Sequence, residues 1–118
     1  MDEKASIGGL LRTILGIFGD DALIRQAAEF TIGSHQTGFV VELFPSDTSL
    51  KSTVENGPIP GRYFFLASDG SVEGEVIIFV AQGVLSFIEY ASCPDQEPDE
   101  WPEPSQLVLG DSDGLALE

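Results

Sequence analysis

From Tyr63 to Glu118 the chain contains no lysine or arginine, although that half holds twelve of the twenty acidic residues. Residues 1–62 hold all five basic residues and the other eight acids, so the two halves carry net charges of −3 and −12. A phosphate backbone would be repelled by the second half, which argues against nucleic acid as a partner. An anionic membrane surface is disfavoured on the same ground. Charge of this size serves solubility, and it also suits attraction to a basic protein.

Cysteine and histidine are as scarce as they can be while present. Cys93 stands alone, so no intrachain disulfide can form, which fits a reducing compartment. His35 is the only histidine, and a zinc site built on one His and one Cys would need two carboxylates at a spacing no cluster here has. A Cys–His nucleophile pair needs a base that turns the thiol into thiolate. Cys93 precedes Pro94 among carboxylates, which act in the opposite direction. Asp111-Ser112-Asp113-Gly114 opens like a calcium loop, but Ala116 stands where such a loop needs glycine. No glycine-rich phosphate loop is present, so the expectation is no cofactor, no metal and no catalytic residue.

Long apolar runs are missing too. The stretch from Ile7 to Phe18 is broken by Gly8, Gly9, Arg12, Thr13 and Gly16 and is too short to span a membrane. Met1-Asp2-Glu3-Lys4 puts acids where a secretory signal carries positive charge. These features point to a cytoplasmic protein. A length of 118 residues and a hydrophobic content of 42% fit a single domain, residues 1–118, with a core of its own.

Residues 5–18 have helical period, with Ile7, Leu10, Leu11, Ile14, Leu15 and Phe18 on one stripe. Their three glycines weaken the helix by up to about 1 kcal/mol each, so packing has to hold it. Asp20 or Asp21 can cap a second helix running to about Glu29, with Ala22, Leu23, Gln26 and Ala27 on a shared face. From Phe30 the period falls to two, and residues 38–44 read as a strand. Residues 45–61, with Pro45, Asn56-Gly57, Pro58, Pro60 and Gly61, read as a long loop.

Residues 62–92 carry the strongest pattern. Strands at 62–67, 75–81 and 84–92 are separated by turns at Asp69-Gly70 and Gln82-Gly83. A two-residue turn at 82–83 sets Val80 opposite Leu85 and Ile78 opposite Phe87. One face would then carry Val76, Ile78, Val80, Leu85 and Phe87, and the other Ile77, Phe79, Ile88 and Tyr90. Both are apolar, so residues 75–81 should form a central strand covered on both sides. The fold expected is α+β: N-terminal helices on an antiparallel meander of about four to five strands spanning 38–92. Residues 93–118 follow as an acidic, proline-rich segment in which Trp101 anchors to the body and 107–109 add an edge strand.

The stretch from Gly74 to Tyr90, followed by Glu97-Pro98 and Trp101-Pro102-Glu103-Pro104, resembles the C-terminal half of a group of small acidic bacterial α+β proteins of unestablished function. Some members of that group carry clustered cysteines after the N-terminal helices. Here Gly33 to Gly38 contains none, so no metal or redox role carries over. In size, charge and α+β pattern the chain is also similar to the immunity proteins that neutralise bacterial toxins. That similarity implies a non-enzymatic domain binding a basic partner. The charge of the C-terminal segment makes Asp95, Glu97, Asp99, Glu100 and Glu103, with Trp101, the candidate binding residues, and a monomer is favoured over a homodimer because Trp101 can cover the sheet within the chain. The alternative is a cleft that binds or turns over a small ligand through Glu42, Glu89 or His35. Glu42 and Glu89 stand out because each interrupts an apolar strand, although a structural ion pair with Arg62 or Arg25 would explain them equally.

Overall fold

A computed structural model gives the fold for residues 3–35, 39–92, 100–111 and 114–115. The first helix, α1 (Glu3–Phe18), buries Ile7, Leu10, Leu11, Ile14 and Leu15. It stops at Gly19, whose positive φ lets its amide turn back to the Leu15 carbonyl at 2.8 Å. The second helix, α2 (Asp21–Ala28), is capped by Asp20, which accepts from the Leu23 amide at 3.0 Å, and buries Ala22, Leu23, Gln26 and Ala27.

The strands are β1 (Phe30–His35), β2 (Val40–Pro45), β3 (Gly57–Pro58), β4 (Arg62–Leu66), β5 (Val72–Ala81), β6 (Val84–Ser92), β7 (Leu107–Asp111) and β8 (Gly114–Leu115). They form one antiparallel sheet in the order β1-β2-β6-β5-β4-β7-β8, with β3 paired to β5. The architecture is therefore α+β, with more strands than the four to five expected. The additions are β1, which includes His35, the two-residue β3 inside the expected loop, and β8. The expected edge strand at 107–109 extends to Asp111 and pairs with β4. The meander β4-β5-β6 forms as read, and β5 is interior.

The register within that meander departs from the sequence reading at one residue. Gln82 and Gly83 both adopt positive φ, 53° and 80°, and Val80 pairs with Leu85 as expected. Phe79 then pairs with Phe87, and Ile78 with Ile88, leaving Ser86 as the extra residue of a β-bulge. A one-residue slip moves every later side chain to the opposite face. Ile88 and Tyr90 consequently join Val76, Ile78, Val80 and Leu85 in the core, all at most 4% exposed, and Phe87 crosses to the other side.

The helices cover this core face. Gln26 carries the one buried polar side chain recorded in the core. Its Nε2 donates to the carbonyls of Gly83 (2.9 Å) and Leu50 (3.1 Å), and its Oε1 accepts from the Leu85 amide (2.8 Å). The loop before β3 wraps the same hairpin. Ser52 donates from its amide to Gly83 and from its hydroxyl to Asp20, and Asn56 accepts from the Gln82 amide. A long loop that looked free in sequence is thus tied at four points.

Candidate interaction surface

Among the described residues, no helix lies against the other face of the sheet. Cross-strand pairing arranges its side chains in rows. Glu42 lies opposite Phe87, and Phe87 opposite Phe79, which in turn pairs with Pro58. In the next row Val40 pairs with Glu89, and Glu89 with Ile77. In the third, Glu75 pairs with Phe64, and Phe64 with Val108. Phe44 closes the β2 end and is 50% exposed. The rest of these side chains are half-buried by their neighbours, apart from the exposed Pro58.

Each row therefore carries one glutamate among apolar groups, and the three glutamates are not equivalent. Glu75 forms a forked pair with Arg62, at 3.0 Å from Nε to Oε2 and 3.0 Å from Nη2 to Oε1. The hydrogen bond and the carboxylate's charge raise the Arg62 pKa further above its ordinary value. The guanidinium also lies over the Phe64 ring, 4.8 Å from its centroid. Arg62 is thus committed to Glu75, and the expected ion pair of Arg62 or Arg25 with Glu42 or Glu89 does not form. Among the described residues no lysine or arginine pairs with Glu42 or Glu89.

Glycine shapes this face at β1. A Cβ on Gly33 would lie 2.5 Å from Phe44 Cε2 and 2.9 Å from Glu42 Oε1, so both side chains lean across the bare backbone there.

Of the acidic C-terminal segment, residues 100–111 and 114–115 are described. Asp95, Glu97 and Asp99, with Cys93, lie outside the described residues. Glu100 and Glu103 are exposed. Trp101 is only 6% exposed: its ring meets Phe39 edge-on at 5.3 Å, stacks on Tyr90 at 6.3 Å, and donates from Nε1 to Glu3 at 2.9 Å. It acts as an anchor, as expected, and packs on Tyr90 at the core face.

Three shallow clefts open on the described surface, of about 230, 470 and 410 Å³. The smallest sits where β3 and β4 part along β5, lined by Ile59, Arg62, Tyr63, Glu75 and Ile77 among others. Tyr63 donates to the Pro60 carbonyl at 3.1 Å, and burial raises its phenol pKa. Neither Glu42 nor Glu89 lines any of the three. Among the described residues no three His, Cys, Asp or Glu side chains converge as a metal site requires.

No family model, curated protein or solved structure matches this chain.

The sequence reading placed Ile77 and Phe79 on the helix-free face; it set Phe87 on the core side and left Phe64 unassigned. The signal for Phe87 was its two-residue spacing from Glu89, which the Ser86 bulge obscured.

Proposed function

We propose that the protein is a non-enzymatic binding domain for a basic protein, of the kind that immunity proteins exemplify with the toxins they neutralise. The observation that carries this reading is the segregation of charge. The half of the chain that supplies β5, β6 and β7 holds twelve acids and no base, and four of the five bases lie on the two helices or the loop before β3. The glutamates of the helix-free face, Glu42 and Glu89, have no cation partner among the described residues, and Glu100 and Glu103 add exposed charge.

Like charges would repel a second copy meeting these surfaces, while a basic protein would be drawn to them and steered on approach. The test is a pull-down at low salt from the native host, followed by elution with rising salt. A basic protein retained at low salt and released as ionic strength rises is the expected result, since exposed charges are screened beyond about 8–10 Å at physiological ionic strength. Capture that ignores salt removes the electrostatic basis. A toxin gene adjacent to the coding sequence, whose product is harmless when both are co-expressed, would specify the immunity role.

A further inference from the structure

We propose that the helix-free face of the sheet, rather than the acidic C-terminal segment, is the docking surface, and that its occupant is an arginine-bearing amphipathic segment of the basic partner. The proposal rests on the basic-partner reading above and locates it. Three observations carry it.

The face already binds one guanidinium. Arg62 lies over Phe64 and forks onto Glu75, so an aromatic ring and a carboxylate together hold a planar cation there. Beside it the same elements recur without a cation: Phe87 lies directly opposite Glu42, and Glu89 follows it two residues along the same face of β6. Lysine would supply charge but neither the fork nor the stack, so the geometry favours arginine.

None of the chain's lysines or arginines is placed there. Lys4, Arg12 and Arg25 lie on the helices that cover the opposite face, Lys51 bonds to the Thr48 carbonyl in the loop before β3, and Arg62 is committed. The stretches outside the described residues contain no lysine or arginine either. A second copy would bring Glu42 and Glu89 against their own kind.

Finally, the face is apolar between its charges. The Phe79–Phe87 pair and Ile77 run through its centre, and Phe44 at its margin is 50% exposed. An interface with a buried aromatic centre and charged groups beside it takes an amphipathic segment rather than a purely ionic one.

The experiment titrates full-length protein at low salt with three synthetic probes: a leucine–arginine peptide at helical spacing, its leucine–lysine counterpart and an oligoarginine. Amide NMR shifts locate the site and calorimetry gives affinity, for the wild type, E42Q/E89Q and E100Q/E103Q. These glutamine exchanges keep side-chain shape at partly or fully exposed positions, and thermal melts check that each variant folds as the wild type does. The expected result is that the leucine–arginine peptide binds tightest of the three and shifts the amides of Glu42, Phe79, Phe87 and Glu89. E42Q/E89Q should weaken it by about tenfold, and E100Q/E103Q by less than about twofold.

Shifts confined to residues 100–107, with the loss carried by E100Q/E103Q, would overturn the docking site and leave the basic-partner reading standing. Equal binding of the lysine peptide or the oligoarginine would overturn the arginine-bearing amphipathic occupant. Failure of all three cationic probes to bind would overturn the reading itself. A peptide-free protein that sediments as a dimer with these amides protected would assign the face to a second copy and overturn the proposal.

Discussion

Gln26 joins three parts of the molecule through one amide group. Leu85 has its amide satisfied by Gln26 Oε1, whereas the Gly83 carbonyl also accepts from Ser52 and so keeps a partner without it. Gln26→Ala should therefore cost about 1–3 kcal/mol, chiefly through the orphaned Leu85 amide, and lower the urea midpoint with the slope unchanged. Gly74 is constrained differently: an added Cβ would sit 2.6 Å from Tyr90 Cε1 and 2.8 Å from the Ala91 carbonyl. Gly74→Ala should destabilise by about 1–3 kcal/mol as the Tyr90 ring is pushed from its place. Tyr63 supplies a pH signature. Burial raises its pKa, so the folded state holds the phenol proton more tightly than the unfolded state does. That contribution is complete below the ordinary tyrosine value near 10 and is lost as pH rises through the folded value. Alkaline unfolding should thus steepen above about pH 10, and Tyr63→Phe should blunt it.

At the scale of elements, the Ser86 bulge decides which side of the sheet each half of β6 serves. Without it, Ile88 and Tyr90 would face away from the helices and Phe87 would enter the core. Deleting Ser86 should leave cooperative unfolding intact, because removing the extra residue gives a regular ladder in which Phe79 still pairs with Phe87 and Ile78 with Ile88; inserting one further residue after Ser86, which exchanges the two faces of the strand, should abolish it. A deletion variant that loses cooperative unfolding would refute the bulge. The C-terminal segment depends on its anchor in the same way. Trp101 fills a space bounded by Phe39, Tyr90 and the start of α1, so Trp101→Ala should cost about 3–5 kcal/mol, measured by chemical unfolding followed by circular dichroism. The turns at Asp47 and Asp69 are minor supports. Each carboxylate accepts from the serine two residues on, which lowers its pKa, so what it contributes is present above the ordinary carboxylate range and lost as acid protonates it.

At the scale of the whole molecule the chain has two unlike faces: helices with three of the five bases on one side, and an aromatic, glutamate-bearing sheet surface on the other. Interactions of the sheet surface should be salt-sensitive in proportion to the charges it presents, and association with a basic probe should slow markedly as salt rises. Rates that stay constant across that range would indicate that apolar contact alone governs the encounter.

Much of the fold was legible before any coordinates. The α1 stripe, the Asp20 cap, the shared face of Ala22, Leu23, Gln26 and Ala27, the turns at Asp69-Gly70 and Gln82-Gly83 and the interior position of β5 follow from periodicity and turn chemistry within a few neighbouring residues. The uneven charge is likewise a property of the sequence alone. What only the tertiary structure decided depends on partners distant in the chain. Ser86 bulges because the helices bury Ile88 and Tyr90 better than Phe87 and Glu89, a competition invisible to a regular two-residue period. Arg62 pairs with Glu75 because antiparallel registry sets Phe64 opposite that glutamate, which leaves Glu42 and Glu89 without a cation. The Trp101 ring finds Tyr90 on the core side only once that slip has turned Tyr90 inward. Local patterns specify elements; which face of each element is covered is settled by what the rest of the chain can pack against it.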